Sequence, residues 1–170
     1  MESSSTEYVC RLCGRSHSSL PTDTAYTLPD EVWAIPESER GERAKWDSDL
    51  CRLGDRYFIR CLLEVPFLDQ PGYYGWGTWA EVEWPSFERY LEFYDKDGRS
   101  EEPFRATLAN DLPTYGGTLG LPAFVQFRTA SERPAIWFPE EAAHPLAVEV
   151  RRGMSYARFH EVLIARGVDL

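Results

Sequence analysis

From Tyr57 to Trp84 the chain alternates. Tyr57, Ile59, Cys61, Leu63 and Val65 fall on one face of an extended run, and Arg56, Arg60 and Glu64 fall on the other with Phe58 and Leu62 beside them. A second run sets Tyr74, Trp76, Ala80 and Val82 against Gly75, Gly77, Glu81 and Glu83. Successive side chains of a strand point to opposite faces, so a period of two predicts half-buried strands. Between the runs lies Leu68-Asp69-Gln70-Pro71-Gly72, whose Pro-Gly pair turns the chain. A long antiparallel hairpin with a dense aromatic face is the element around which everything else must pack.

The remaining segments supply partners for it. Asp47 to Leu53, ending at the Gly54-Asp55 turn, reads as a short strand beside the first half of the hairpin. Phe104 to Ala109 and Leu119 to Arg128 alternate, and Arg133 to Phe138 follows as a hairpin partner that Pro134 pushes towards an edge. Phe87, Tyr90, Leu91 and Tyr94 recur at helical spacing after Ser86, a predicted N-cap. Ser155 caps a last helix with Tyr156, Phe159, Val162 and Leu163 on one face, stopped at Gly167. Pro36 opens a short exposed helix, Leu20 to Leu28 reads as irregular, and His144-Pro145-Leu146 breaks any helix begun at Glu140. The expected fold class is α+β: an antiparallel sheet of about five to six strands with two main helices on one face.

A chain of 170 residues supports one domain with a sizeable core. Residues 1–7 are expected as a flexible start and 8–170 as a single α+β domain, with a metal knuckle at 8–20 packed on it. No apolar run approaches the roughly 20 residues that span a bilayer, and the start lacks the pattern of a signal peptide, so a cytoplasmic location is expected. The formal net charge of -10 argues against nucleic acid and anionic membranes as partners, because phosphate binding needs clustered Lys and Arg. It suits a basic protein partner, although a surface that is merely kept soluble is the preferred reading of the charge.

The four cysteines are poor disulfide candidates in a reducing compartment. In Tyr8-Val9-Cys10-Arg11-Leu12-Cys13-Gly14-Arg15-Ser16-His17 the cysteines are two residues apart and glycine follows the second. That spacing lets two thiolates face one ion, and Gly14 can adopt the positive φ that turns backbone N–H groups towards sulfur. His17 is a candidate third ligand and Cys51 the candidate fourth, which would close a tetrahedral structural zinc site. A core thiol is the alternative for Cys51 and the preferred reading of Cys61. A redox pair is the alternative for the two N-terminal cysteines, although such pairs open a helix in a βαβ unit, and no such alternation occurs here.

Taken in order, Cys10-x-x-Cys13-Gly14-x-x-His17, Leu20-Pro21, Asp49-Leu50-Cys51, Tyr57-Phe58-Ile59-Arg60, Leu63-Glu64-Val65-Pro66, Trp76-Gly77-x-Trp79 and His144-Pro145-Leu146-Ala147 resemble the bacterial DUF2199 family, a domain of unknown function. The resemblance spans Val9 to about Leu163, with Cys61 standing where glycine is expected. It implies a small cytosolic bacterial protein and singles out Cys10, Cys13, Cys51 and His17 as landmarks. It supplies no mechanism.

Catalytic signals are sparse. No GxSxG, HExxH or P-loop pattern is present. Of the three histidines, His144 precedes a proline in a loop, as a ligand, a base or a hydrogen-bonded structural residue, and His160 lies beside the apolar face of the last helix. Asp47 with Asp49, and Glu81 with Glu83, read as solvent-facing strand carboxylates. Trp76 and Trp79 are candidates for a binding surface, with core aromatics as the alternative. Two functions are weighed. One is a zinc-stapled module that binds a protein, such as a toxin that it neutralises. The other is a metal-dependent hydrolase whose zinc keeps a position open for water.

Overall fold

The computed structural model describes residues 20–168, together with the backbone of residues 8–9 and 16–17. Two short strands, β1 (Tyr8–Val9) and β2 (Ser16–His17), pair antiparallel, with Tyr8 opposite His17. Next come β3 (Asp23–Ala25), α1 (Asp30–Trp33), α2 (Glu37–Arg43), β4 (Ala44–Trp46) and β5 (Leu50–Leu53). The central hairpin is β6 (Arg56–Pro66) and β7 (Tyr73–Val82). Then follow α3 (Trp84–Phe93), β8 (Phe104–Leu108), β9 (Pro122–Gln126), β10 (Ala135–Trp137), α4 (Pro145–Arg152) and α5 (Tyr156–Ala165).

The hairpin keeps its register from Tyr57 opposite Val82 to Pro66 opposite Tyr73. From there β7 pairs with β8, β8 with β9 and β9 with β10, each antiparallel. The ring closes where β10 runs parallel to β6, with Ala135 opposite Leu62. Five strands therefore form a closed barrel, flanked by β3 on the free half of β7 and by β5 and β4 on the free half of β6. This corrects the expected open antiparallel sheet with two main helices. Period two reports which face a residue takes, and it is the same in an open sheet and a barrel. What closes the ring is a parallel contact between segments distant in the chain, which no local pattern encodes. Closure joins the two edges of the five-stranded ring to each other, and β3 and β4 stand at the ends of the flanking strands.

The inner face is the one the alternation indicates. Ile59, Cys61, Leu63, Val65, Tyr74, Trp76 and Ala80 are buried in it, joined by Leu108 from β8, Val125 from β9 and Ile136 from β10. Burying a Leu, Val or aromatic side chain of this kind stabilises by about 1.5–3 kcal/mol relative to exposure. Phe87 and Tyr90 of α3 and Phe159, Val162 and Leu163 of α5 complete the core. The outer face of the hairpin is buried as well, where Phe58 and Trp79 pack with Leu28, Val32, Ala44, Cys51 and Ala109. The Trp79 indole N–H donates to the Tyr26 carbonyl at 2.9 Å.

Local expectations met mixed outcomes. The short strand at Leu50–Leu53 pairs antiparallel with β6, and Ser155 caps α5 with its side chain accepting from the Arg158 N–H. Leu20 to Leu28, read as irregular, contains β3, and α1 and β4 were not anticipated. α3 begins at Trp84 with Glu83 as its N-cap, ahead of Ser86. His144-Pro145 starts a helix where a break was expected, because proline in the first turn loses no helical hydrogen bond and His144 supplies the cap.

Candidate functional site

The outer edge of β6 changes neighbours partway along. Residues Arg56 to Ile59 pair with β5, the Arg60 N–H donates to the Asp49 carbonyl at 3.0 Å, and the Leu62 N–H donates to the Pro134 carbonyl at 2.9 Å. At this split opens a cleft of about 640 Å³. The β9–β10 connection, residues 127–134, forms one wall; Tyr90 and Phe93 of α3 with its C-cap Tyr94 another; Glu64 and Tyr73 of the hairpin a third.

Charged groups cross-link its mouth. Asp49, in the β4–β5 turn, accepts from Arg133 Nε at 3.2 Å on one carboxylate oxygen and from the Tyr94 hydroxyl at 2.7 Å on the other, which also accepts from Ser48 at 3.0 Å. Burial works to raise the Asp49 pKa, but these hydrogen bonds outweigh it and hold the carboxyl below its ordinary range. The same bond raises the Tyr94 hydroxyl, since it favours the protonated phenol. Arg128 meets Glu64 at 3.2 Å and Glu132 at 3.7 Å, and its Nε donates to the Arg133 carbonyl at 2.8 Å. Arg60 donates to the Ser48 carbonyl at 3.1 Å, while its buried Nε–H finds no hydrogen-bond partner among the described residues. Burial first, and then Arg133, lower the pKa of that guanidinium. The cleft thus offers both charge signs and aromatic walls, an arrangement suited to binding a polar or charged group.

A second cluster ties the loop after β8 to the last two helices. Arg158 pairs with Glu149 at 3.0 Å, donates to the Thr114 hydroxyl at 2.8 Å and lies 5.2 Å from the centre of the Tyr115 ring. Thr114 adopts φ 76, a left-handed conformation unusual for a β-branched residue. Tyr115 is buried in the core, and desolvation followed by the Glu149 charge raises its pKa. These contacts hold a loop to a helix pair.

The residues anticipated from the sequence are scattered. Cys10 and Cys13 lie outside the described residues; His17 lies in β2, with its side chain likewise outside them. Cys51 is buried among Phe58, Trp79, Val32 and Ala44, and that burial pushes its thiol up to about 12. Its surroundings there are those of the core-thiol alternative. Among the described residues no group of three His, Cys, Asp or Glu side chains is arranged to hold a metal ion. At His144, Nδ1 accepts from the Leu146 N–H at 3.2 Å, so Nε2 carries the proton donated to the Gly117 carbonyl at 2.8 Å, contacts of the kind the structural alternative expects. Trp76 and Trp79 are both 0% exposed, which corrects the binding-surface reading. Large aromatics on a strand buried on both faces fill cores.

Asp49, Tyr94 and Arg133 were not singled out as a site. Asp49 read as a strand carboxylate, Tyr94 as part of a helix face and Arg133 as the start of a strand. Only the tertiary fold brings them together.

No curated protein and no solved structure matches the chain. Among the described residues no helix is long and apolar enough to cross a membrane. The family described as an uncharacterized protein conserved in bacteria, DUF2199, matches residues 9–154, and the chain belongs to that bacterial family.

Proposed function

We propose that the protein is a binding module for a basic protein partner, stapled near its N-terminus by a structural zinc ion. The observation that carries the partner reading is the cleft at the split of β6. Asp49, Glu64 and Glu132 stand there with Tyr73, Tyr90 and Tyr94 around about 640 Å³, on a chain of net charge -10. A cationic side chain entering the cleft meets Asp49, Glu64 and Glu132 in competition with Arg133 and Arg128, which pair with them, and the net charge of the whole molecule steers it in. A toxin neutralised by binding is one partner of this kind.

The zinc reading rests on Cys10, Cys13, Gly14 and His17 and on the antiparallel β1–β2 pairing, which returns the chain on either side of the two cysteines. When bound, zinc would contribute folding free energy to this segment. A second reading draws on the apolar surroundings of Cys51. With Cys51 in the core, Cys10, Cys13 and His17 alone would leave a coordination position open, as a metal-dependent hydrolase requires.

Affinity capture from the native host, at low and at high salt, separates the two. A partner retained at low salt, released at high salt and lost when Asp49, Glu64 and Glu132 are all made neutral supports the module. Absence of such a partner, together with hydrolysis in a broad substrate screen that chelation abolishes, replaces it with the enzyme. Elemental analysis of protein made without added metal tests the zinc.

A further inference from the structure

We propose that Asp49 anchors a guanidinium group presented by the partner and that Arg133 is the internal stand-in for it. This deepens the binding-module reading and rests on it. Asp49 is the carboxylate at the mouth whose two oxygens are already held by separate groups, Tyr94 and Ser48 on one and Arg133 on the other. Tyr94 and Ser48 hold one oxygen of the carboxylate and so fix its plane, and the other oxygen meets Arg133. The Asp49 side chain is 18% exposed and the Arg133 side chain 42% exposed, so the acid is set in the wall while the base lies over it. An exposed guanidinium paired through one nitrogen contributes little to stability and is readily exchanged for another. A planar fork suits the fixed carboxylate better than a point charge, because it can donate two bonds in one plane. Of the aromatic residues of α3 and its end that line the cleft, Tyr94 is 45% exposed and offers its ring to the incoming group.

The released Arg133 keeps Glu132 as its chain neighbour. Arg128, tied to Glu64 across the cleft and to Glu132 beside it, holds the 127–134 connection against the hairpin during the exchange. The anchoring step is therefore a swap of one guanidinium for another on a carboxylate that stays put.

The test uses the full chain and a nine-residue oligoarginine peptide as probe, with oligolysine and oligoglutamate of the same length as controls. Asp49→Asn weakens oligoarginine binding by about tenfold or more, as loss of a charge-assisted bond implies. Glu140→Gln removes the same charge from an exposed site elsewhere and changes binding by less than about twofold. Arg133→Ala removes the stand-in and tightens binding by about threefold. Should Asp49→Asn fail to fold, Tyr94→Phe carries the test: it keeps the charge, frees the carboxylate plane and lowers the preference for oligoarginine over oligolysine. Equal losses in Asp49→Asn and Glu140→Gln, or weaker binding by Arg133→Ala, overturn the anchor. So does an unchanged preference in Tyr94→Phe. Backbone amide shifts upon binding distinguish the two levels of the reading. Oligoarginine that binds with shifts away from Asp49 overturns the anchor alone. Oligoarginine that does not bind even at low salt, or oligoglutamate that binds more tightly, overturns the basic-partner module with it.

Discussion

The backbone N–H of Trp79 donates to the side-chain oxygen of Asn110 at 2.8 Å, a bond between the middle of β7 and the loop that follows β8. The same oxygen accepts from the Thr78 hydroxyl at 3.0 Å, and the amide nitrogen donates to the Leu28 carbonyl at 3.0 Å and to Asp30 at 2.9 Å. Asn110 is 0% exposed, and its bonds to Trp79, Thr78 and Leu28 are buried, with the one to Asp30 partly so. One side chain joins β7, α1 and the loop, and all four of its hydrogen-bonding positions are used.

Asn110→Ala is therefore expected to destabilise the fold by roughly 3 kcal/mol, because several buried groups lose their partner together. Denaturant unfolding measures it. A change below about 1 kcal/mol would mean that the loop rearranges to satisfy those groups by itself.

Gly153 and Gly54 both have positive φ, 97 and 62, but their surroundings differ. A Cβ on Gly153 would meet Leu68 at 2.8 Å and the Pro66 carbonyl at 3.1 Å, whereas one on Gly54 meets nothing within 4 Å. Gly54→Ala should cost about 1 kcal/mol, the ordinary penalty of a left-handed alanine. Gly153→Ala should cost clearly more, since it also pushes the α4–α5 junction off the end of β6. Equal thermal midpoints for the two variants would contradict the close approach.

Thr114 tests backbone strain directly. Thr114→Ala and Thr114→Gly both lose the hydroxyl that accepts from Arg158, so their difference isolates φ 76. The glycine variant should be the more stable by about 1 kcal/mol. A more stable alanine variant would indicate that the loop relaxes out of the left-handed region.

Cys51 and Cys61 set an alkaline limit. Burial pushes the Cys51 thiol from 9.0 up to about 12 and raises Cys61 for the same reason. A thiol whose folded pKa is raised stays protonated while the unfolded chain ionises. Its contribution is full below about pH 9 and is lost as pH rises towards about 12. Stability should fall through that window, and both thiols should resist alkylation at neutral pH until the protein is denatured. Rapid labelling of either in the native state would show that its cover opens easily.

The hairpin was readable because alternation is a local signal, and Ile59, Leu63 and Trp76 face inward as it indicates. Phe58 and Leu62 interrupted that pattern, and Phe58 proved to belong to the core on the outer face. Glycines at 75 and 77 mark where β3 lies alongside: a Cβ on Gly77 would meet Ala25 at 3.3 Å. That signal was present in the sequence, but glycine in a strand has several meanings and does not name its neighbour. Closure of the ring had no local signature. The cleft was equally hidden, since Asp49, Tyr94 and Arg133 come from a turn, a helix end and a connection far apart in the chain.

The parallel contact between Ala135 and Leu62 also orders events in time. β6 and β7 are joined by a short turn and can meet early, at small cost in chain entropy. The last staves, β9 and β10, reach the first only after a long intervening stretch has been organised. The wall should thus be completed from the hairpin outward, and β6 must wait with half of its outer edge unclaimed until β10 arrives. During that interval the unclaimed edge is open to strands of other molecules, so association while folding should depend on protein concentration.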